Sequence, residues 1–258
     1  MKNEIIIKTL PSFIENILTI KRNSEQNGNY SDLIFRGQSV DEPLLPRLAR
    51  LDLRIQENSL KKTEELILQE FKRGILPLTE FKPENNWDLI ALAQHHGLPT
   101  RLLDWSYSAL AALWFAIENS PKRNKNNELE NGVVWILCAD SVDFNVDLEG
   151  SDPLKNDVTK IFRSNVVSRR ISAQSGLFTV HFIRSDNSIV HFEDHRKFRS
   201  KLTKLTIPHN FFSALRKELS ITGVNHSTLF PDLDGLTKHL EWRFAKLEDE
   251  KKRPVRRK

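Results

Sequence analysis

Residues 94–106 hold an unusual density of groups that can do chemistry. His95 and His96 can exchange protons near neutral pH, and Asp104 can accept a proton or orient a histidine. Arg101 can bind a phosphate or a carboxylate through its planar guanidinium group. Structural roles are equally open at this stage, because Arg101 and Asp104 have the spacing of an i, i+3 ion pair and Ser106 has the position of a helix N-cap.

A second group of interest is Phe35-Arg36-Gly37-Gln38, where an arginine ends the short predicted strand Leu33 to Arg36. An arginine there offers two parallel donors to a diphosphate or a carboxylate. Gly37 has no side chain, so we expect it to let a ligand approach the backbone closely. The structural alternative for Arg36 is a surface salt bridge.

Two predicted helices flank the first segment. Trp87 to Gln94 has apolar residues at helical spacing, and Gly97 followed by Pro99 ends it. Ala109 to Ile117 is apolar on every side, which is typical of a buried helix. We expect Thr100 to Tyr107 to form a tight loop between these helices, because rigid supports commonly present functional loops.

The composition fits one soluble domain. The chain has 258 residues, of which 39% are hydrophobic and 28% charged, and its net charge is +5. We expect a core at about residues 30–245 and a basic, solvated tail at 246–258. No apolar run is long enough to cross a bilayer, and the N-terminus lacks a signal-peptide pattern, so we expect a cytoplasmic protein. The single cysteine, Cys138, excludes an internal disulfide and a cysteine-rich zinc site.

Helical segments and short strands do not alternate regularly along the chain. The pattern predicts strands at Ile5–Ile7, Gly132–Ala139, from Leu177 onward, Ser188–Phe192 and Lys201–Ile207, and further helices at Ser12–Ile20, 59–76, Pro208–Leu219 and Asp232–Phe244. This irregular order predicts the α+β class, with central mixed or antiparallel small sheets flanked by helices.

Several familiar site types are disfavoured. Adjacent histidines on a helix point about 100° apart and do not easily share one metal ion. The sequence has no HExxH, no phosphate-binding GxxxxGK[ST] or GxGxxG loop, and no GxSxG. We therefore expect no metal cofactor and neither of the common nucleotide-binding loops.

The two groups of residues together resemble the FRG domain, a bacterial family named for its Phe-Arg-Gly motif. The resemblance rests on Phe35–Gln38 and on His96–Ser106 leading into Ala109–Ala116, and later on Gln174–Thr179 and Leu229–Leu236. It covers roughly residues 30 to 242. The family is similar in context to proteins of toxin and anti-phage systems, which is an association and not an activity.

The order of these motifs also resembles the three-part layout of the ADP-ribosyltransferases, which are glycosyltransferases that use NAD as a substrate. By that resemblance Arg36 would hold the ribose or diphosphate, Ser106 would orient the nicotinamide ribose, and Gln174 would take the third position. Phe35, Gly37, Gln38, His96, Arg101 and Asp104 would line the NAD pocket. The third position is a Glu or a Gln in that superfamily, and Glu193 is the acidic alternative to Gln174.

Two other functions remain open at this stage. A non-catalytic module could bind a nucleotide or nucleic acid through Arg36, Arg101 and Gln38, with Trp105 or Tyr107 as stacking faces. A nuclease could use His95, His96 and Asp104 for acid–base chemistry. A transferase should gather Arg36, Ser106 and Gln174 around one cleft, whereas a pure binder should show an open basic groove. The acceptor, a nucleic acid or a protein, and a neutralising partner are expectations of the transferase interpretation.

Overall fold

A computed structural model of the protein describes residues 4–26, 32–54, 59–79, 81–145, 147–164 and 174–251. The strands are β1 (Ile5–Ile6), β2 (Asp32–Gln38), β3 (Leu102–Ser106), β4 (Gly132–Ala139), β5 (Lys160–Phe162), β6 (Gly176–Val180) and β7 (Leu202–Ile207). The helices are α1 (Leu10–Gln26), α2 (Leu60–Gly74), α3 (Asn86–His95), α4 (Ala109–Ile117), α5 (Phe212–Ile221), α6 (His226–Leu229) and α7 (Leu233–Phe244). The last seven residues of the predicted basic tail, 252–258, lie outside the described residues.

The seven described strands form a single sheet in the order β1-β7-β4-β2-β3-β6-β5. Only β1 and β7 pair in parallel, and every other neighbouring pair is antiparallel. The α+β prediction is confirmed, with one mixed sheet in place of several small ones. β4 lies between β7 and β2, which explains why its sequence is apolar almost throughout.

The sheet is weakly joined at its middle. β2 pairs with β4 over seven residues, and β3 pairs with β6 over five. Between β2 and β3, however, the only paired residues are Phe35 and Ser106. We call this junction the seam, because two well-paired halves of the sheet meet there and separate beyond Phe35.

Helix α4 covers the seam and packs directly on the backbone of β2. A Cβ atom at Gly37 would lie 1.8 Å from the carbonyl oxygen of Ala112, and one at Gly132 would lie 2.6 Å from that of Ala116. The glycines therefore permit close contact between helix and strands. The expectation that Gly37 clears space for a ligand needs correction, because the neighbouring helix occupies that space.

The prediction of a loop at Thr100–Tyr107 is wrong, because most of that segment is β3. Leu102, Leu103 and Trp105 are each at most 3% exposed, so the segment is a buried central strand. Pro99 and Thr100 complete the turn that follows α3, and Gly97 has the left-handed φ of +79° expected of a helix-ending glycine. The segment forms a strand because it is buried in the sheet. The polar residues within it gave no sign of that burial.

Other predicted boundaries also shift. Residues Ser188–Phe192 do not form the predicted strand, whereas α1 continues through the polar residues up to Gln26. The final predicted helix is present as α7, with Asp232 as its N-cap. Its apolar side chains are nevertheless exposed, by 78% at Leu233 and 83% at Phe244.

Candidate active site at the seam

A cleft of about 430 Å³ opens where β2 and β3 separate. This volume falls within the range of about 300–1,000 Å³ that is typical of small-molecule sites. The cleft is lined by Phe35, Arg36, Gly37, Gln38, Ser39, Val40, Glu42, Arg50, Asp104, Trp105, Ser106, Ala112, Phe115, Glu118, Lys122, Gln174 and Phe230.

The cleft brings together Arg36, Ser106 and Gln174, which are far apart in sequence. Arg36 comes from β2, Ser106 ends β3, and Gln174 lies just before β6. Phe35, Gly37, Gln38 and Asp104 also line it, as the resemblance implied. The seam explains why these residues lie together, because residues of both β2 and β3 face the gap where the two strands separate.

Arg36 bridges the two separating strands. Its Nη1 donates a hydrogen bond of 2.9 Å to the backbone carbonyl of Asp104 and lies 3.7 Å from the Asp104 carboxylate. Burial lowers the pKa of Arg36, and the Asp104 carboxylate opposes that change. The guanidinium group nevertheless stays charged. Its Nε is buried and has no hydrogen-bond partner among the described residues, a feature that Nη2 of Arg101 shares.

Ser106 has a largely structural environment. Its hydroxyl donates to the backbone carbonyl of Gln174 and accepts a hydrogen bond of 2.8 Å from the backbone N–H of Ser108. Ser108, and not Ser106, caps α4 by accepting from the N–H of Ala111. Ser106 thus fastens the end of β3 to two neighbouring segments. Since a hydroxyl has two lone pairs, it can still accept one hydrogen bond from a ligand.

Of the two candidates for the third position, only Gln174 lines the cleft. Its side-chain nitrogen donates a hydrogen bond of 3.2 Å to the carbonyl of Leu229. The carboxylate of Glu193 instead accepts from the backbone N–H of Leu44 at 3.0 Å. Glu193 therefore serves to hold a loop, at a place that the cleft does not include.

Glu118 is an acidic group of the cleft that sequence reasoning missed. It is the residue at the C-terminal end of α4, and burial raises the pKa of its carboxyl group to about 7, against the opposing charge of Lys238. A carboxyl group with such a pKa can both accept and donate a proton near neutral pH. The available signal was its place as the first polar residue after a fully apolar helix.

The charges of the cleft are balanced. Arg36, Arg50 and Lys122 provide three cations, and Glu42, Asp104 and Glu118 provide three carboxyl groups. Two of these, Arg50 and Glu42, form an ion pair at 3.3 Å. Two aromatic rings, Phe115 and Phe230, add an apolar wall and meet edge to face with their centroids 6.2 Å apart. A cleft of this kind suits a ligand that carries both signs of charge.

Arg101 lies away from the cleft in a buried ion pair. Its side chain is 1% exposed, and its Nε donates to the carboxylate of Glu64, which is fully buried. The other oxygen of Glu64 accepts the backbone N–H of Arg101 at 2.8 Å, and Asn156 accepts from Nη1 at 2.9 Å. These contacts connect α2 to the start of β3, so Arg101 has a structural environment.

The histidine pair also lies outside the cleft. His96 follows the end of α3, where its backbone N–H donates to the carbonyl of Leu92. Its ring contacts that of His95 edge to face, with the ring centroids 5.1 Å apart. The Asp104 carboxylate accepts a hydrogen bond of 2.9 Å from Gln94. The cleft that Asp104 lines includes neither histidine. In the part of the chain that the structure describes, no group of three or more His, Cys, Asp or Glu residues is arranged to hold a metal ion.

The comparisons with known proteins match one family model to part of the chain. No curated protein and no solved structure shows significant similarity to the chain. None of the described helices has both the length and the apolar character needed to cross a membrane. Residues 31–125, which include β2, β3, α4 and most of the residues that line the cleft, match the family model of the FRG domain.

Proposed function

We propose that the cleft binds NAD and transfers its ADP-ribose group to an acceptor molecule. The observation that carries this proposal is the meeting of Arg36, Ser106 and Gln174 in one cleft. These three residues are the ones that the resemblance to ADP-ribosyltransferases singles out. The FRG domain match by itself leaves the activity open, so the proposal depends on the cleft.

The balanced charges of the cleft support NAD as the ligand. NAD carries a cationic nicotinamide ring and an anionic diphosphate in one molecule. Arg36 and Arg50 are suited to the diphosphate, because guanidinium groups bind phosphate oxygens in pairs. Glu118 and the rings of Phe115 and Phe230 provide a carboxylate and apolar faces for a flat cation.

The chemistry assigns a role to Glu118. In the transfer step the bond between nicotinamide and the ribose carbon breaks, and its electron pair leaves with nicotinamide, which becomes neutral. The acceptor forms a bond to the same carbon and releases a proton. Glu118, with its pKa raised to about 7, can take that proton. When ionised, its carboxylate would also stabilise the positive charge that develops on the ribose.

A second candidate is binding of a nucleotide without turnover. Two observations favour it: the Ser106 hydroxyl is already engaged in internal hydrogen bonds, and Gln174 carries no charge. In that case NAD would bind to the cleft and remain intact. The FRG domain would then act as a nucleotide sensor.

Release of nicotinamide separates the two candidates. The wild-type protein would be incubated with NAD, with and without candidate protein and nucleic-acid acceptors, and free nicotinamide would be measured by chromatography. We expect Glu118→Gln to retain NAD binding and to lower the release rate by about 100-fold or more. Arg73→Ala, at an exposed position on α2, is the control and should match the wild type. Binding without release in any mixture would support the sensor, and a Glu118→Gln rate equal to wild type would remove Glu118 from the mechanism.

A toxin or defence role would follow from transfer to an essential cellular molecule. Expression of the wild-type protein in bacteria should then arrest growth unless a neutralising partner is present. Arg36→Ala should abolish the arrest at the same level of soluble protein. Equal growth arrest by both proteins would show that the effect does not come from the cleft.

A further inference from the structure

A second groove, of about 860 Å³, runs beside the edge strand β5. We call it the basic groove. It is lined by Asp157, Val158, Thr159, Lys160, Phe182, Arg184, Val190, Asp194, His195, Arg196 and Lys197. Four of these residues are always cationic and two are carboxylates, so the basic groove differs from the charge-balanced cleft.

The two arginines of the basic groove are available to a partner. Arg184 and Arg196 are exposed. Neither guanidinium group forms a hydrogen bond or an ion pair with the residues that the structure describes. An unpaired guanidinium group is a good binder of phosphate oxygens, because it presents several donors in one plane.

The two lysines converge on one point of the groove. The Nζ atoms of Lys160 and Lys197 both donate to the backbone carbonyl of Val142, at 2.9 Å and 3.2 Å. Lys197 also pairs with Asp143 at 2.7 Å, which offsets part of the repulsion. Two ammonium groups held this close produce a positive potential that favours an anionic ligand.

The lowered pKa of His195 is consistent with the same positive potential. Burial lowers the pKa of His195, and the charges of Lys197 and Arg184 lower it further. Buried His181 has a pKa lowered to about 3 by burial, with contributions from both His195 and Arg36. The basic groove and the Arg36 side of the cleft therefore lie close enough to influence the same residue.

The groove also contains features suited to bases. The ring of Phe182 is 36% exposed and Val158 is 50% exposed, which gives a base an aromatic face and an apolar neighbour. The carboxylates of Asp157 and Asp194 can accept hydrogen bonds from amino groups of bases. An acidic peptide would satisfy the cations, but it has no flat base for the Phe182 ring and no exocyclic amino groups for these carboxylates.

We propose that the basic groove binds single-stranded nucleic acid, with phosphates on Arg184, Arg196 and Lys160 and a base on Phe182. This site goes beyond the NAD cleft and needs no NAD chemistry. If the proposed transfer is also correct, the groove would bring a nucleic-acid acceptor to the same region of the molecule as Arg36.

Fluorescence anisotropy with a labelled, mixed-sequence single-stranded RNA of about 12 nucleotides tests this proposal. The double variant Arg184→Ser/Arg196→Ser should weaken binding at least tenfold at about 0.1 M salt and lower the salt slope by about 1 to 1.5. Lys72→Ser/Arg73→Ser on α2 removes the same charge elsewhere and should change the affinity less than twofold. Phe182→Leu should weaken binding about fivefold or more while leaving the salt slope unchanged.

Three results would overturn the proposal. The first is no binding by the wild type at about 50 mM salt, where phosphate contacts contribute strongly to affinity. The second is equal weakening by the groove variant and the α2 variant, which would indicate attraction by net charge alone. The third is tighter binding of an RNA duplex or a glutamate-rich peptide than of the single strand. NAD titrations of the same variants distinguish the basic groove from the cleft. The groove variants should bind NAD with the affinity of the wild type.

Discussion

Two arginines, the half-buried Arg36 and the buried Arg101, differ in how far the protein itself satisfies their charge. The backbone N–H and the Nε of Arg101 both donate hydrogen bonds to the Glu64 carboxylate, and its Nη1 donates to the side-chain oxygen of Asn156. Arg36 makes one hydrogen bond to a backbone carbonyl and has a looser approach to the Asp104 carboxylate. Arg101 is 1% exposed at its side chain and Arg36 is 18% exposed.

The difference shows why residue type alone does not locate a site. Both arginines fall in motifs of the FRG resemblance, and each could bind an anion. A buried carboxylate already neutralises Arg101, so removal of either partner would leave a charge in the core. Arg36 faces a cleft in which its charge is only partly matched. Arg101 therefore belongs to the stability of the fold, and Arg36 is the arginine that we assign to a ligand.

Arg101→Ala should have the largest effect on stability. Loss of the guanidinium group leaves Glu64 buried without a partner, which should cost about 3–5 kcal/mol in the free energy of unfolding. Urea denaturation followed by circular dichroism measures this loss. The double variant Arg101→Met/Glu64→Gln should recover part of it, because the buried charge is then gone. A normal stability of Arg101→Ala would show that the pair is not buried as described.

Gly37→Ala should have the next largest effect. The new methyl group would lie 1.8 Å from a backbone atom of α4, so the helix must move, at a cost of about 3 kcal/mol. Gly74→Ala is the matched control, because no described atom beyond its chain neighbours and its own helix backbone lies within 4 Å of the new methyl group. Thermal unfolding compares the two variants. If Gly37→Ala unfolds like the wild type and loses only ligand binding, a ligand and not α4 occupies that space.

Glu118 should make stability depend on pH. Its folded-state pKa of about 7 exceeds the ordinary value of 4.5, so the folded protein favours the protonated form. This contribution is complete below about pH 4.5 and is lost as the pH rises through about 7. Over that interval the wild type should lose about 1 kcal/mol relative to Glu118→Gln, after allowance for solvent screening. Parallel pH profiles for both proteins would contradict the raised pKa.

Arg36→Ala should cost less stability than Arg101→Ala or Gly37→Ala. It removes one hydrogen bond across the seam, which is worth about 0.5–1.5 kcal/mol, and it relieves the burial of a charge. Melting temperatures measured beside Arg101→Ala give the comparison directly. A loss for Arg36→Ala as large as that for Arg101→Ala would make both arginines structural.

Local signals in the sequence predicted much of the fold. The span of α4 was predicted from its apolar composition, and the end of α3 from Gly97 and Pro99. β3 was missed because its strand character comes from burial between β2 and β6, which is a long-range property. The pairing register of β2 and β3 also depends on long-range contacts. The sequence therefore could not predict the seam that opens the cleft.

The candidate site was predicted unevenly for the same reason. Motif order singled out Arg36, Ser106 and Gln174, and all three line one cleft, but their role stays a prediction. Glu118 carried no motif, and only its burial at the end of α4 distinguishes it from a surface glutamate. Arg101 looked equivalent to Arg36 in sequence, because its partner Glu64 lies on a helix 37 positions away.

Calorimetric titration of NAD into the wild type and Arg36→Ala tests the central claim most directly. We predict that the wild type binds NAD and that Arg36→Ala loses this binding while its melting temperature stays close to that of the wild type. Retained affinity in Arg36→Ala would remove Arg36 from the ligand site. Absence of NAD binding by the folded wild type would contradict the assignment of the cleft to NAD.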